Sequence, residues 1–87
     1  MKYIAKPIEV EAIQWLGNNE EEVYDFCGGR AYYMPRTCYM VIRTPAGELR
    51  AILGNYIVRN IDNEYYVYNM QQFQDMYEPV KENEDGD

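Results

Sequence analysis

Through residues 9–12 charged and apolar positions alternate: Glu9 and Glu11 fall on one face of an extended chain, Val10 and Ala12 on the other. Ile13 and Trp15 then carry the apolar phase across, which predicts a bulge or bend near Ala12 in a strand over residues 8–15. Gly17 ends that run. Asn18 or Asn19 is placed to cap a short helix whose first turn is Glu20, Glu21 and Glu22, negative charge where a helix N-terminus favours it. Val23, Phe26 and Cys27, three and four apart, give this helix one apolar stripe, and Gly28-Gly29 stops it.

From Arg30 onward the period shortens to that of strands. Residues 39–44 and 48–53 flank Pro45-Ala46-Gly47 and predict a hairpin. Residues 56–61 and 64–68 flank Asp62-Asn63, a pair that tolerates the positive φ of a type I′ turn; that turn sets Arg59 opposite Tyr66 and Val58 opposite Val67. Asn69 caps a last helix with Met70, Phe73 and Tyr77 on one face, and Pro79 closes it. Residues 81–87 are predicted to be a disordered acidic tail. The order β-α-β-β-β-β-β-α predicts one α+β domain over residues 1–80: a mostly antiparallel sheet or partly closed small barrel with one or two short helices.

Eighty-seven residues, 47% of them apolar, suffice for one core without metal or disulfide. Ten tyrosines exceed what so small a core needs, so some rings belong in an interface, and a homo-oligomer is expected. Cys27 and Cys38 cannot complete a tetrahedral zinc site alone, and there is no His. They read as thiols of a reducing cytoplasm. No apolar run reaches the roughly 20 residues of a membrane span, and the first residues lack the apolar core of a signal peptide. With no His, no glycine-rich phosphate loop, no nucleophile beside a base and no metal spacing, neither an enzyme nor a cofactor is expected. The acids Glu20, Glu21, Glu22 and Asp25 fit a solvated helix start better than a metal patch.

Charge adds the sharpest feature. All five arginines lie between Arg30 and Arg59, opposed within residues 28–60 by Glu48 alone, in a chain of net charge −7. A basic stripe on an acidic body focuses anions on one place, and arginine suits bidentate contact with phosphate or carboxylate. A four-residue loop over 45–48 sets Arg43 directly opposite Arg50, two like charges that an anion or an acidic neighbour relieves; a three-residue loop parts them onto different faces. Glu9, Glu11 or Glu48 are the acids in reach. Arg59 beside Tyr66 makes either a cation–π contact or a slot in which a base stacks while the guanidinium holds a phosphate. The acidic body argues against duplex DNA as a direct ligand.

The opening Lys6-Pro7-Ile8-Glu9-Val10-Glu11-Ala12-Ile13-Gln14-Trp15 resembles the start of a widespread family of small tailed-bacteriophage accessory proteins. Leu53-Gly54-Asn55-Tyr56-Ile57 stands where that family has Pro-Gly-Asp-Tyr-Ile, followed by a tight turn, the aromatic run Glu64-Tyr65-Tyr66-Val67-Tyr68, then Phe73 and Tyr77-Glu78-Pro79-Val80. Leu53, Asn55 and the turn residue Asn63 depart from the family pattern. With the motif's one carboxylate gone, Gly54 is expected to supply backbone freedom where one strand turns into the next.

The resemblance implies an accessory, anti-defence role in the cytoplasm of an infected bacterium. Joined to the charge pattern, it gives as the first expectation a protein that binds and sequesters a small phosphate-containing, nucleotide-type immune signal without turnover. The residues expected to carry this are Arg36, Arg43, Arg50 and Arg59 for phosphate, with Tyr33, Tyr56 and Tyr66 for base or ribose. The alternatives are an acidic nucleic-acid mimic that occupies a host defence nuclease, and a structural or oligomerisation module.

Overall fold

The computed structural model describes residues 1–3 and 9–80. Its elements follow the order read from the sequence: β1 (Glu11–Gln14), α1 (Glu20–Phe26), β2 (Ala31–Met34), β3 (Tyr39–Thr44), β4 (Gly47–Ala51), β5 (Tyr56–Arg59), β6 (Tyr65–Tyr68) and α2 (Met70–Met76). The strands form two antiparallel three-stranded sheets, β1-β5-β6 and β2-β3-β4, and no barrel closes. The α+β reading therefore holds. The expected acidic tail at 81–87 and the first residue of the expected first strand, Ile8, lie outside the described residues.

The core lies between the sheets. Ile13, Ile57 and Val67, side by side across the first sheet, meet Met40, Ile42 and Ala51 of the second, with Trp15, Val23 and Cys27 filling the remainder. Burying such side chains is the dominant favourable term of folding, about 25 cal/mol per Å² of apolar surface. Trp15 ties the two sheets together. Its ring is fully buried, its Nε1–H donates to the Cys38 carbonyl at 2.9 Å, and its backbone carbonyl accepts from Gly54 N–H at 2.8 Å. Gly54 takes φ +90°, which a residue with a Cβ adopts only under strain, as the motif reading expected. The Asn55 Oδ1 accepts Ile52 N–H at 3.0 Å and completes the turn.

β1 needs no bulge. Its register against β5 is unbroken, with Ala12 opposite Val58 and Ile13 opposite Ile57. Apolar residues appear on both faces of β1 because the core lies against one face of its sheet and α2 covers the other in part, over Tyr56, while Ala12 stays exposed. Phe73 of α2 stacks on Tyr56 with ring centroids 4.0 Å apart and planes 3° from parallel. Asn69 starts α2 with the reciprocal capping pair it forms with Gln72.

Both hairpins differ in register from expectation. The β3–β4 loop is Pro45-Ala46 alone, because Pro45 presets the first turn dihedral and Gly47 takes φ +134° as the first residue of β4. Thr44 therefore pairs with Gly47, Arg43 with Glu48 and Val41 with Arg50. The β5–β6 turn is a residue longer than the expected Asp62-Asn63 pair: Asn60 N–H reaches the Glu64 carbonyl at 3.0 Å, which leaves residues 61–63 in the turn. Asn60 Oδ1 accepts both Asp62 and Glu64 N–H at 2.9 Å, and Asn63 alone takes the left-handed conformation, φ 60°. Arg59 consequently faces Tyr65, and Val58 faces Tyr66.

Candidate functional site: the arginine–tyrosine face of the second sheet

The two sheets are covered differently. On the second, the side away from the core carries no helix among the described residues, and three rows of side chains stand on it. Arg30, Arg43 and Glu48 make the first row, where Arg43 N–H donates to the Arg30 carbonyl at 2.8 Å. Tyr32, Val41 and Arg50 make the second, Met34 and Tyr39 the third. Val41, at the centre, is 1% exposed although no core residue touches it from this side; its own neighbours roof it over.

Those neighbours are arginines laid on tyrosines. The Arg43 guanidinium sits 5.0 Å from the centre of the Tyr32 ring, and that of Arg50 5.9 Å from the centre of the Tyr39 ring. Each contact is worth about 0.5–1 kcal/mol at an exposed site. Glu48 steadies the first pair: Tyr32 O–H donates to its Oε2 at 3.3 Å, and Arg43 Nε approaches the same oxygen at 3.9 Å. Three guanidiniums against one carboxylate leave the face positive, and Arg43 and Arg50 are both exposed.

Arg43 and Arg50 therefore share a face, as neighbours across a diagonal and not as the directly opposed pair expected. The shorter loop moves Glu48 into the opposing place, so part of the expected repulsion is already relieved.

The other expected ligand residues do not join them. Arg59 lies in the other sheet and points to its inner side, where Nη1 donates to the Phe26 carbonyl at 2.6 Å, Nη2 pairs with Glu11, and the guanidinium covers the Phe26 ring at 4.5 Å. Its hydrogen bond to Glu11 raises its pKa further, so it is a fixed structural cation and not a partner of Tyr66. Tyr33 also faces inward, against Trp15 at 5.6 Å, with its hydroxyl pushed up in pKa first by a hydrogen bond to Cys38. Tyr56 lies under α2. Tyr66 stands on the outer face of the first sheet, next to Tyr68, and the charge of Glu64 raises its pKa. Arg36 occupies the exposed turn between β2 and β3, beyond the Met34–Tyr39 row.

Tyr32, Tyr39 and Arg30 are the site residues that the expected set lacked. Their signal was parity: once Arg43 and Val41 are on one face, the β2–β3 register puts Tyr32 and not Tyr33 beside them. Among the described residues no group of three or more His, Cys, Asp or Glu could hold a metal ion, and no helix is long and apolar enough to cross a membrane. Comparison with known protein families, curated proteins and solved structures gives no match.

Proposed function

We propose that this chain is a non-catalytic binding module that holds a phosphate-bearing, nucleotide-type ligand across the arginine–tyrosine face. One observation carries the reading: the Arg43 and Arg50 guanidiniums sit over the Tyr32 and Tyr39 rings, 5.0 and 5.9 Å from their centres, on the same uncovered face. A guanidinium so held has lost part of its side-chain freedom in advance, and its N–H fork accepts phosphate oxygens through charge-assisted bonds. Its outer plane remains a surface on which a base stacks. In the setting implied by the resemblance to phage accessory proteins, such binding keeps an immune signal from its receptor by affinity and copy number alone.

The flatness of the face favours a second reading. Small ligands prefer concave sites, whereas Arg, Tyr and Met are the residues enriched at protein interfaces; the partner is then an acidic protein surface.

Thermal shift with ATP, a cyclic dinucleotide and a short single-stranded thymidine oligonucleotide tests the first reading. A ligand at about 100 times its Kd adds about 2.7 kcal/mol, a shift of several degrees for a domain this small. The expected result is a shift with at least one probe that vanishes in Arg43→Gln/Arg50→Gln, while the unliganded melting temperature stays within a degree or two. Absence of any shift, or a shift that survives the double substitution, overturns it.

A further inference from the structure

The free edge of the first sheet is a second surface, independent of the arginine face. Among the described residues β1 pairs with β5 and with no other strand. Trp15 N–H donates to the Asn55 carbonyl at 2.9 Å. By the alternation of an antiparallel ladder, the backbone groups of Ile13 and Glu11 then point to β5 and those of Gln14 and Ala12 point outward. At Gln14 the outward carbonyl is already satisfied: Asn19 Nδ2 donates to it, and Asn19 Oδ1 accepts the next outward N–H, that of Leu16, both at 2.9 Å. One side-chain amide there stands in for the peptide unit of a neighbouring strand. Ala12 has no such substitute among the described residues, and the residue is exposed.

Beside Ala12 lies a groove of about 1000 Å³. Tyr56, Phe73, Val10 and Val80 are among its apolar lining, and Glu9 and Glu78 are its acids. An unpaired strand edge next to an apolar trough is the arrangement that accepts an added strand: main-chain hydrogen bonds supply affinity, and alternate side chains entering the trough supply specificity. Both groove carboxylates being negative, the complementary occupant carries lysine or arginine near its ends.

We infer that β1 and this groove form a docking site for an extended segment of a partner protein, alternating in apolar side chains and flanked by basic ones, which adds to the sheet at Ala12.

The test uses the full chain and a fluorescein-labelled short peptide alternating valine and threonine with lysine at each end. Anisotropy should show saturable binding in the micromolar range. A twin peptide N-methylated on alternate amides, so that it cannot pair with the strand edge, should bind at least tenfold more weakly. Glu9→Lys/Glu78→Lys should weaken the lysine peptide by a similar factor and favour a peptide ending in glutamate. Arg43→Gln/Arg50→Gln should leave all of this unchanged, which separates this site from the arginine face. Three outcomes overturn the inference: no saturable binding up to 1 mM, equal binding of the methylated twin, or a self-associated dimer that the peptide fails to dissociate, which would assign the edge to a second copy.

Discussion

Arg59 and Phe26 are joined twice over: the guanidinium donates to the Phe26 carbonyl at 2.6 Å and lies 4.5 Å from the centre of the Phe26 ring. Phe26 is the last residue of α1, so a cation from β5 sits at the helix C-terminus, where exposed carbonyls and the helix dipole favour positive charge. Glu11 on β1 pairs with the same guanidinium. Helix and sheet are thus fastened at one point by a residue that, in the linear sequence, belongs to the basic stripe.

The first prediction separates this role from ligand binding. Arg59→Gln removes a charge-assisted hydrogen bond and an ion pair at a half-buried place, and should cost about 1.5–3 kcal/mol in urea unfolding. Binding at the arginine–tyrosine face should be unchanged once the variant is folded. A ligand lost with stability intact would mean that Arg59 contacts the ligand after all.

The second concerns the turn after β4. Asn55 Oδ1 accepts Ile52 N–H, a task an aspartate oxygen performs equally well. Asn55→Asp should therefore change stability by no more than about 0.5 kcal/mol, the range of surface substitutions away from special features. Asn55→Ala should cost about 1 kcal/mol, the worth of an ordinary hydrogen bond. Gly54→Ala should cost more than the roughly 1 kcal/mol of an ordinary glycine effect, because φ +90° is unfavourable for alanine and Gly54 N–H must still reach Trp15. Equal melting temperatures for all three variants would mean that this turn does not hold Trp15.

The third is the docking of α2. No residue of α2 is fully buried, so the helix is held chiefly by Phe73 against Tyr56 and, at its C-terminus, by Tyr77 against Tyr68 with ring centroids 6.1 Å apart. Phe73→Ala should cost about 2–3 kcal/mol, below the 3–5 typical of a fully buried Phe, and should speed amide exchange in 70–76 more than in β3. A cost below 1 kcal/mol would show the helix to be undocked.

The order and kind of all the elements were legible in the sequence, because their apolar spacing, glycines and the Asn69 cap agree with one another. At α1 the expected cap is not made, since Asn19 stands at the N-cap position but turns its side chain to Gln14 and Leu16. Register was not. In each hairpin one residue decides it, Gly47 by joining a strand and Asn60 by folding its side chain over the loop. The register moves by two residues from the Arg43–Arg50 pairing in the first and by one in the second, and each move changes which side chains are opposed. That is why the basic run from Arg30 to Arg59 does not form one patch. Strand alternation sends Tyr32 and Tyr33 to opposite faces, and the chain crosses into the other sheet before Arg59. Linear charge located the arginine face in the second sheet but could not name its tyrosines.

The last prediction rests on the two thiols. Cys27 is fully buried, and desolvation pushes its pKa from 9.0 up to about 11, with the charge of Arg59 lowering it in part; Cys38 is exposed. Under native conditions iodoacetamide should modify Cys38 alone, and both thiols in urea, since the thiolate is the reactive form. The same burial makes stability pH-dependent. Between pH 9.0 and about 11 the unfolded chain gives up the Cys27 proton while the folded chain keeps it, so unfolding releases protons and stability falls as pH rises. Below pH 9.0 the contribution is fully present. Tyr33, Tyr66 and Tyr77, all raised above their ordinary value, act in the same direction at higher pH. The melting temperature should hold between pH 7 and 9 and drop progressively above 9. Cys27→Ala should flatten the first part of that drop while leaving the tyrosine part in place. A variant with the same alkaline profile as the parent would show that the Cys27 thiol titrates freely and that the seam between α1 and the second sheet is open to water.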